Sequence, residues 1–414
     1  MSSLASQAPI AIIGAGPGGL TLARLLQVHD INYIVYERDV DPKPRYINQG
    51  GTLDIHALSG QLALKEGGLF DKFKSIARWE GTRVCMQNPS GTVKSVFGQD
   101  RDAPEIDRLQ LRQMLLDSIP TNNIKWGHGI RSIKKGVTPA EHVVNFDNNT
   151  SASGFRLIVG CDGAWSKVRP LVTLVKPEYS GKVFIEGSIS HDNPSYAAAV
   201  DDAGPGVMLA MGQHKMLAVQ QLADHSYRFY VGMDAPEDQH QKHLNVVDTD
   251  KMRKEFLSLP DFFANWAPNL KKYLANAEGP FHAWHLYRFP VSSLAWNRVP
   301  GMTLLGDAAH VSTPLVGEGV NMAMLDALTL SKAIVKCNER PQIGESEKLT
   351  LENALEEYEK EMLERGRDHI SRCMAREKEF FSENAAEDFI NMINVVNVFE
   401  YGYRSLIGLT QRSM

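Results

Sequence analysis

The stretch PIAIIGAGPGGLTLARLLQVHDINYIVYERD, from Pro9 to Asp39, opens on four consecutive apolar residues, Ile10 to Ile13. A run this short, stopped at once by glycine, suits a strand buried on both faces of a parallel sheet. Leu20, Ala23 and Leu26 then recur at helical spacing, and a second apolar run ends at Tyr36. Strand, glycine turn, helix and strand within about thirty residues form the first unit of a Rossmann-like sheet. In such a turn Gly14, Gly16 and Gly19 admit a pyrophosphate to the helix N-terminus. Glu37, at the end of the second strand, is placed to bond ribose hydroxyls. The unit reads as a dinucleotide site and does not by itself separate FAD from NAD.

The bulk numbers set the frame around this unit. A chain of 414 residues exceeds one ordinary core, so two domains are expected. A net charge of −5, without a basic stripe, gives no reason to expect nucleic acid. The four cysteines (Cys85, Cys161, Cys337, Cys373) are scattered, which fits a reducing compartment better than a zinc site or a disulfide scaffold. The N-terminus lacks the pattern of a secretory signal, so the sequons at Asn148 and Asn149 carry little weight. No apolar run reaches the eighteen or so residues of a membrane span. A soluble, cytoplasmic monomer is the expectation.

Further along, GGTLDIHALSGQLALKEGGLFDKF reads as a turn into a helical segment. EIDRLQLRQMLLDSI reads as an amphipathic helix with Arg108 and Arg112 one turn apart, a pair that on its own could simply solvate a helix face. HVVNF and RLIVGCDGAWSKVRP look like strands around an Asn/Ser turn. From about Gly181 to Trp284, short β-rich segments alternate with turns, as in an antiparallel sheet, and a helical stretch follows Asp248. Strand character returns at GMTLLGDAAH, then a helix through GVNMAMLDALTLSKAIV and a long charged helix from Leu351. The first domain is therefore interrupted by the sheet and completed after it. The expected division is 1–180 for the nucleotide domain, with 83–100 contributing to the substrate side, then 181–285 for the sheet. The nucleotide domain is completed by 286–340, and a helical region follows over 348–414.

Three motifs in order, GAGPGG with Glu37, CDGAWSKVRP (Cys161 to Pro170) and GDAAHVSTPLVGEGVN (Gly306 to Asn321), make the chain similar to the FAD-dependent aromatic-hydroxylase-like (group A) flavoprotein monooxygenases. YERD followed by GGTLDIH, PEIDRLQLRQMLL and GVNMAMLDALTLS resemble, within that family, the tetracycline-inactivating monooxygenases. The resemblance implies an α/β fold, with a Rossmann-like FAD-binding domain interrupted by a mainly antiparallel substrate sheet and followed by a long C-terminal helix. It implies tightly bound FAD, transient NADPH or NADH, dioxygen, and hydroxylation of a polycyclic phenolic or polyketide-like molecule, tetracyclines included, through a flavin C4a-hydroperoxide. No catalytic side-chain nucleophile and no metal are expected. The cofactor contacts carried over are Gly14, Gly16, Gly19, Glu37, Arg38, Asp54, Arg108, Arg112, Asp162, Asp307, Pro314, Gly317, Gly319, Val320 and Asn321. Asp307 would accept from ribityl hydroxyls, and the amides from Gly317 to Asn321 would approach the flavin ring.

Some positions depart from the subgroup. Glu186 stands in place of a glutamine, Val207 in place of a drug-contacting arginine, and Arg228 near a histidine; these are the expected substrate residues. Glu318 replaces the glutamine usual between the two glycines. A carboxylate there would oppose negative charge on reduced flavin unless it points away or is protonated. His310 is expected to be structural, and His240/His243 and His282/His285 lack a third metal ligand at recognisable spacing. Competing readings are a halogenase, whose Trp-x-Trp-x-Ile-Pro stretch is missing, an FAD reductase or oxidase, and a protein that sequesters a planar ligand. The tail, Phe389 to Met414, reads as a packed helix or an interfacial one.

Overall fold

The computed structural model describes residues 8–43, 51–99, 101–235, 248–338 and 350–392. The expected tail beyond 392, together with His240 and His243, lies outside the described residues. The chain divides into two compact units. One comprises Met1–Trp79, Asp102–Ser180 and Tyr287–Met374, the other Glu80–Arg101, Gly181–Leu286 and Ala375–Met414.

The first unit is built on a five-stranded sheet in the spatial order Met302–Leu304, Leu157–Gly160, Ile10–Ile13, Tyr33–Tyr36, Ile124–Lys125. All of its pairings are parallel. Ile10–Ile13 and Leu157–Gly160 are buried at every position, as strands covered on both faces must be. Tyr36, Ile13, Gly160 and Leu304 stand in one row across the sheet. Because the strands are parallel, the segments that follow them emerge on the same edge. Gly14 N–H donates to Tyr36 O at 2.8 Å, Cys161 N–H to Ile13 O at 2.8 Å, and Leu305 N–H to Gly160 O at 3.0 Å. All three motifs are thus anchored side by side by backbone bonds.

Helix Pro17–Val28 leaves the glycine loop and packs on helix Gly319–Asn338. The 30-residue helix Leu351–Phe380 begins in this unit, and the unit boundary falls within it, after Met374. Two three-residue strands, Thr52–Asp54 and Glu105–Asp107, pair antiparallel just before helices. They are too short to show any periodicity, which is why the sequence reads only as turn and helix there.

The second unit carries a seven-stranded sheet in the order Glu278–Arg288, Glu178–Ile189, Tyr227–Asp234, Lys215–Gln221, Val207–Gly212, Val84–Gln87, Val93–Phe97. The ladders from Glu178–Ile189 to Val207–Gly212 are antiparallel, whereas Val84–Gln87 joins Val207–Gly212 in parallel. One face of this sheet (Val183, Ile185, Leu217, Val219, Phe229, Val231) is the core, closed by Phe256, Trp266 and Tyr273. A short helix, Tyr196–Asp202, interrupts a region whose sequence suggests only strands.

Gly14 shows how tightly the first loop is set. Its φ is +110°, and a Cβ there would lie 2.5 Å from Cys161 O. Gly14→Ala is expected to lose roughly 1–3 kcal/mol to backbone strain alone, with the clash added to it. Urea unfolding of the FAD-free protein measures this, and an unchanged midpoint would contradict the tight apposition of the first two motifs.

Candidate functional site

The first loop places a carboxylate and a guanidinium around open space. Glu37 is buried, and its Oε2 accepts from Ala15 N–H at 2.6 Å while Oε1 accepts from Asp39 N–H at 3.0 Å. The acid therefore braces the loop, with lone pairs left for a further donor. Arg112 reaches the same loop from helix Arg108–Asp117. It donates to Ala15 O at 3.3 Å and to Pro42 O at 2.8 Å, and lies over the Trp126 ring. Its Nη2 is buried, makes no hydrogen bond, and sits 3.9 Å from the Asp39 carboxylate. A buried guanidinium nitrogen in that condition suits an anion placed at the loop. Gly16 faces open space, with nothing within 4 Å of a notional Cβ, and Arg38 is exposed beside Glu37.

In the second motif, Asp162 Oδ2 accepts from Lys167 N–H at 2.6 Å. Burial holds its pKa above the usual carboxylate range, against the opposing bonds from Ser166 and Lys167. It organises its own turn, in keeping with a shaping role.

The third motif turns sharply at Gly306, whose φ of +59° and ψ of −143° belong to glycine. Asp326, fully buried on helix Gly319–Asn338, holds that turn. Its carboxylate accepts from Gly306 N–H at 3.0 Å, pairs with His310 Nε2 at 2.6 Å, and meets Arg365 Nη2 at 3.0 Å. His310 is itself buried, with its Nε2 taken up by this carboxylate. Asp307 is reached by solvent yet surrounded closely enough that desolvation raises its pKa; a recessed, open position accounts for both. The charges of His310, Arg108 and His369 oppose that rise, so Arg108 acts at Asp307.

Pro314 opens a single helical turn, Pro314–Val316, and Gly317 and Gly319 both face open space. Val320 is half-buried. The Asn321 side chain is committed: Oδ1 accepts from His56 N–H at 2.8 Å and Ser59 Oγ at 3.2 Å, and Nδ2 donates to Asp54 O at 2.7 Å. Asn321 and Asp54 therefore clamp the start of the helix to the 54–59 segment. Both acceptor sites of Asn321 Oδ1 and one of its two Nδ2 hydrogens are thus engaged.

Glu318 resolves the question its charge raises. Its Oε2 lies 2.8 Å from Arg372 Nη2 and 3.4 Å from His369 Nδ1. The nearby His369, joined by Arg372, brings its pKa down to about 2. The group is ionised and held toward the long helix. His369 is buried, and burial alone would lower its pKa, but the contacts with Cys373 and Glu318 carry it up to about 9. Its Nε2 bonds Ser312 Oγ at 2.9 Å. Neither His369, Arg372, Arg365 nor Asp326 stands out in the sequence. The signal was the 365, 369, 372 spacing, which sets three cations on one face of a helix.

In the second unit, Glu186, Val207 and Arg228 point away from the core face. Glu186 and Arg228 are buried and 3.5 Å apart. The sheet register sets Glu186, Tyr230, Ala218, Leu209 and Met86 in one row, and Ser188, Arg228, Gln220, Val207 and Val84 in the next. His282 and His285 lie on strand Glu278–Arg288. Among the described residues no helix is long and apolar enough to cross a membrane.

The residues around the parallel edge fit FAD, through the Arg112 nitrogen, the open Gly16, Gly317 and Gly319, and the recessed Asp307. Comparison with known proteins agrees. A family model described as an FAD binding domain matches residues 7–340. Monooxygenase penA of Penicillium thymicola is 29% identical over 439 residues, spanning 94% of this chain and 99% of its own. Monooxygenase asqM of Emericella nidulans is 30% identical over 448 residues, spanning 92% and 97%. Among solved structures, Klebsiella pneumoniae HpxO complexed with FAD and uric acid aligns with a TM-score of 0.73 at 23% identity, covering 92% of this chain and 91% of that one. Tetracycline destructase Tet(55) aligns at 0.70 and 17% identity, covering 96% of each chain.

Two outcomes are expected at this site. Arg112→Ala removes a charged donor worth about 1.5–3 kcal/mol, so FAD should bind roughly tenfold to a hundredfold more weakly in a fluorescence titration. His369 is charged more readily in the folded state than its ordinary value of 6.5 allows. Its contribution is thus full below pH 6.5 and lost as pH rises through about 9. The melting-temperature advantage of the native chain over His369→Gln should shrink across that window; a gap independent of pH would show an uncharged His369.

Proposed function

The chain belongs to the FAD binding domain family and is a flavoprotein monooxygenase, and on that premise we propose that it hydroxylates aromatic substrates, with a substrate class and a role for each part of the site. The substrate is a polycyclic phenolic or polyketide-like molecule, and the overall reaction consumes NADPH or NADH, a proton and dioxygen to give the hydroxylated product and water. FAD, when bound, supplies the redox chemistry and the activation of dioxygen. The protein supplies placement.

The first loop with Glu37 and Arg38 takes the adenosine half, and Arg112 neutralises the pyrophosphate. Asp307 accepts from the ribityl chain, and the charges of His310, Arg108 and His369 oppose the upward shift that burial gives its carboxyl. The backbone from Gly317 to Asn321, at the start of a 20-residue helix, offers amides and the positive end of the helix dipole to the flavin ring. The pyridine nucleotide binds transiently, since only one Rossmann-like unit is present among the described residues.

The observation that carries the substrate class is the face of the second unit's sheet opposite its core, where Met86, Met211, Met216, Glu186 and Arg228 are themselves buried. Met86, Leu209, Met211, Met216 and Phe184 make a soft apolar field on it, and Glu186, Ser188, Arg228, Gln220 and Tyr230 make a polar corner. Methionine and aromatic side chains adapt to flat rings, while a paired acid and base can exchange hydrogen bonds with ring hydroxyl and carbonyl groups. The charges of Glu186 and Arg228 already offset each other, so this corner favours a neutral polar ring system over a strongly charged one. Relatives named as urate hydroxylase and 3-amino-4-hydroxybenzoate 2-monooxygenase act on small polar rings, and the Tet(55) likeness keeps tetracycline in the test panel.

With FAD-loaded protein, NADPH oxidation is followed with and without tetracycline and a panel of polyphenols, and each mixture is examined for a product one oxygen atom heavier. Ring-dependent acceleration accompanied by that product is the expected result. Oxidation of NADPH that only ever yields peroxide would reduce the protein to an oxidase and overturn the proposal.

A further inference from the structure

The long helix reaches into the third motif with three cations at positions 365, 369 and 372, and each meets an anion or hydroxyl there. Arg365 holds Asp326, His369 holds Ser312 and faces Glu318, and Arg372 pairs with Glu318. Arg365 and Ser312 account for the fold of the turn. Glu318 needs another explanation, because a neutral side chain would satisfy an arginine donor without burying charge. It stands between two glycines whose missing side chains leave open space. Its carboxylate lies against two cations of the long helix.

We propose that Glu318, His369 and Arg372 are positioning residues that tether the Gly317–Gly319 backbone to the long helix and, through their charges, set the redox balance of the flavin bound beside it. This rests on the reading above, in which that backbone lies against the flavin ring. The tether acts in two ways. First, the carboxylate draws the Glu318 side chain out of the cofactor space, so the glycine amides on either side are presented to the ligand. Second, two positive charges meet the Glu318 carboxylate, and the exposed Asp368 lies 2.9 Å from Arg372 Nε. The two cations therefore offset the carboxylate that would otherwise resist electron uptake by the flavin. His369 is buried and charged at neutral pH, so its field is little screened by water.

The test compares the native protein, Glu318→Gln and Arg372→Gln, all FAD-loaded, by anaerobic reduction against a reference dye. Arg372 is 44% exposed in its side chain, and Glu318→Gln preserves shape, so both variants are expected to fold, which melting curves verify. Arg372→Gln leaves the Glu318 charge less compensated, so the oxidised-to-reduced ratio at a fixed dye potential should rise several-fold. Glu318→Gln should move the same ratio several-fold the other way. Opposite signs are the signature of charge, since simple loosening of the turn would move both variants alike. Equal ratios in all three proteins, or shifts of the same sign, with FAD normally bound, would overturn the tether's electrostatic role and leave the proposed function standing. Native protein that fails to retain FAD would overturn both.

Discussion

One row of four residues, Tyr36, Ile13, Gly160 and Leu304, in register across parallel strands, underlies the cofactor site. Parallel pairing obliges the segments after these strands to leave on the same side. The distance along the chain between them is irrelevant to that outcome. The glycine loop, the Asp162 turn and the Gly306 turn are thus brought together by backbone hydrogen bonding alone, and side chains only refine the arrangement. A slip of one residue in any of the three strands would turn its buried side chains to the opposite face and carry its motif off the edge.

Refinement is largely electrostatic. Asp326 gathers a backbone amide, a histidine and an arginine around one fully buried carboxylate, and so fixes the strained turn that presents Asp307. Removing any partner would leave charge uncompensated where water does not reach. Glu318 is handled the same way, by cations from the long helix. That helix is charged along its length, and much of it would pass for a solvated face. Near its start Glu352 and Glu359 pair with Arg298, and near the third motif Arg365, His369 and Arg372 meet Asp326 and Glu318. Glu37 and Arg112 work on the opposite end of the site by the same rule, each bonded to the loop's backbone and each retaining capacity for a ligand.

The seven-stranded sheet of the second unit follows different physics. Its alternation is simple: odd-numbered positions of the strands around Ile185 and Phe229 form the core, and even-numbered ones form the other face. On that face an acid and a base neutralise each other beside a methionine-rich field. In the proposed role of this face, specificity rests on shape and on paired hydrogen bonds more than on net charge.

The sequence by itself was enough for the first strand–loop–helix–strand unit, for the order of the three motifs and for the change to short β-strands after Gly181. These are local signals, since glycine at a sharp turn, apolar runs and residue periodicity are imposed by backbone geometry over a few residues. The strands Thr52–Asp54 and Glu105–Asp107 escaped because three residues show no period. The commitment of Asn321 to His56 and Asp54 was hidden too, since its partners lie 265 and 267 residues away. Tertiary structure alone decided the partners of the buried charges. Asp326 meets Arg365 across 39 residues and Ser312 meets His369 across 57, and only packing sets which face of a helix looks at which turn. Whether Glu318 opposes or tolerates negative charge at the flavin is likewise a property of its neighbours, because a carboxylate's charge and direction follow the cations that surround it.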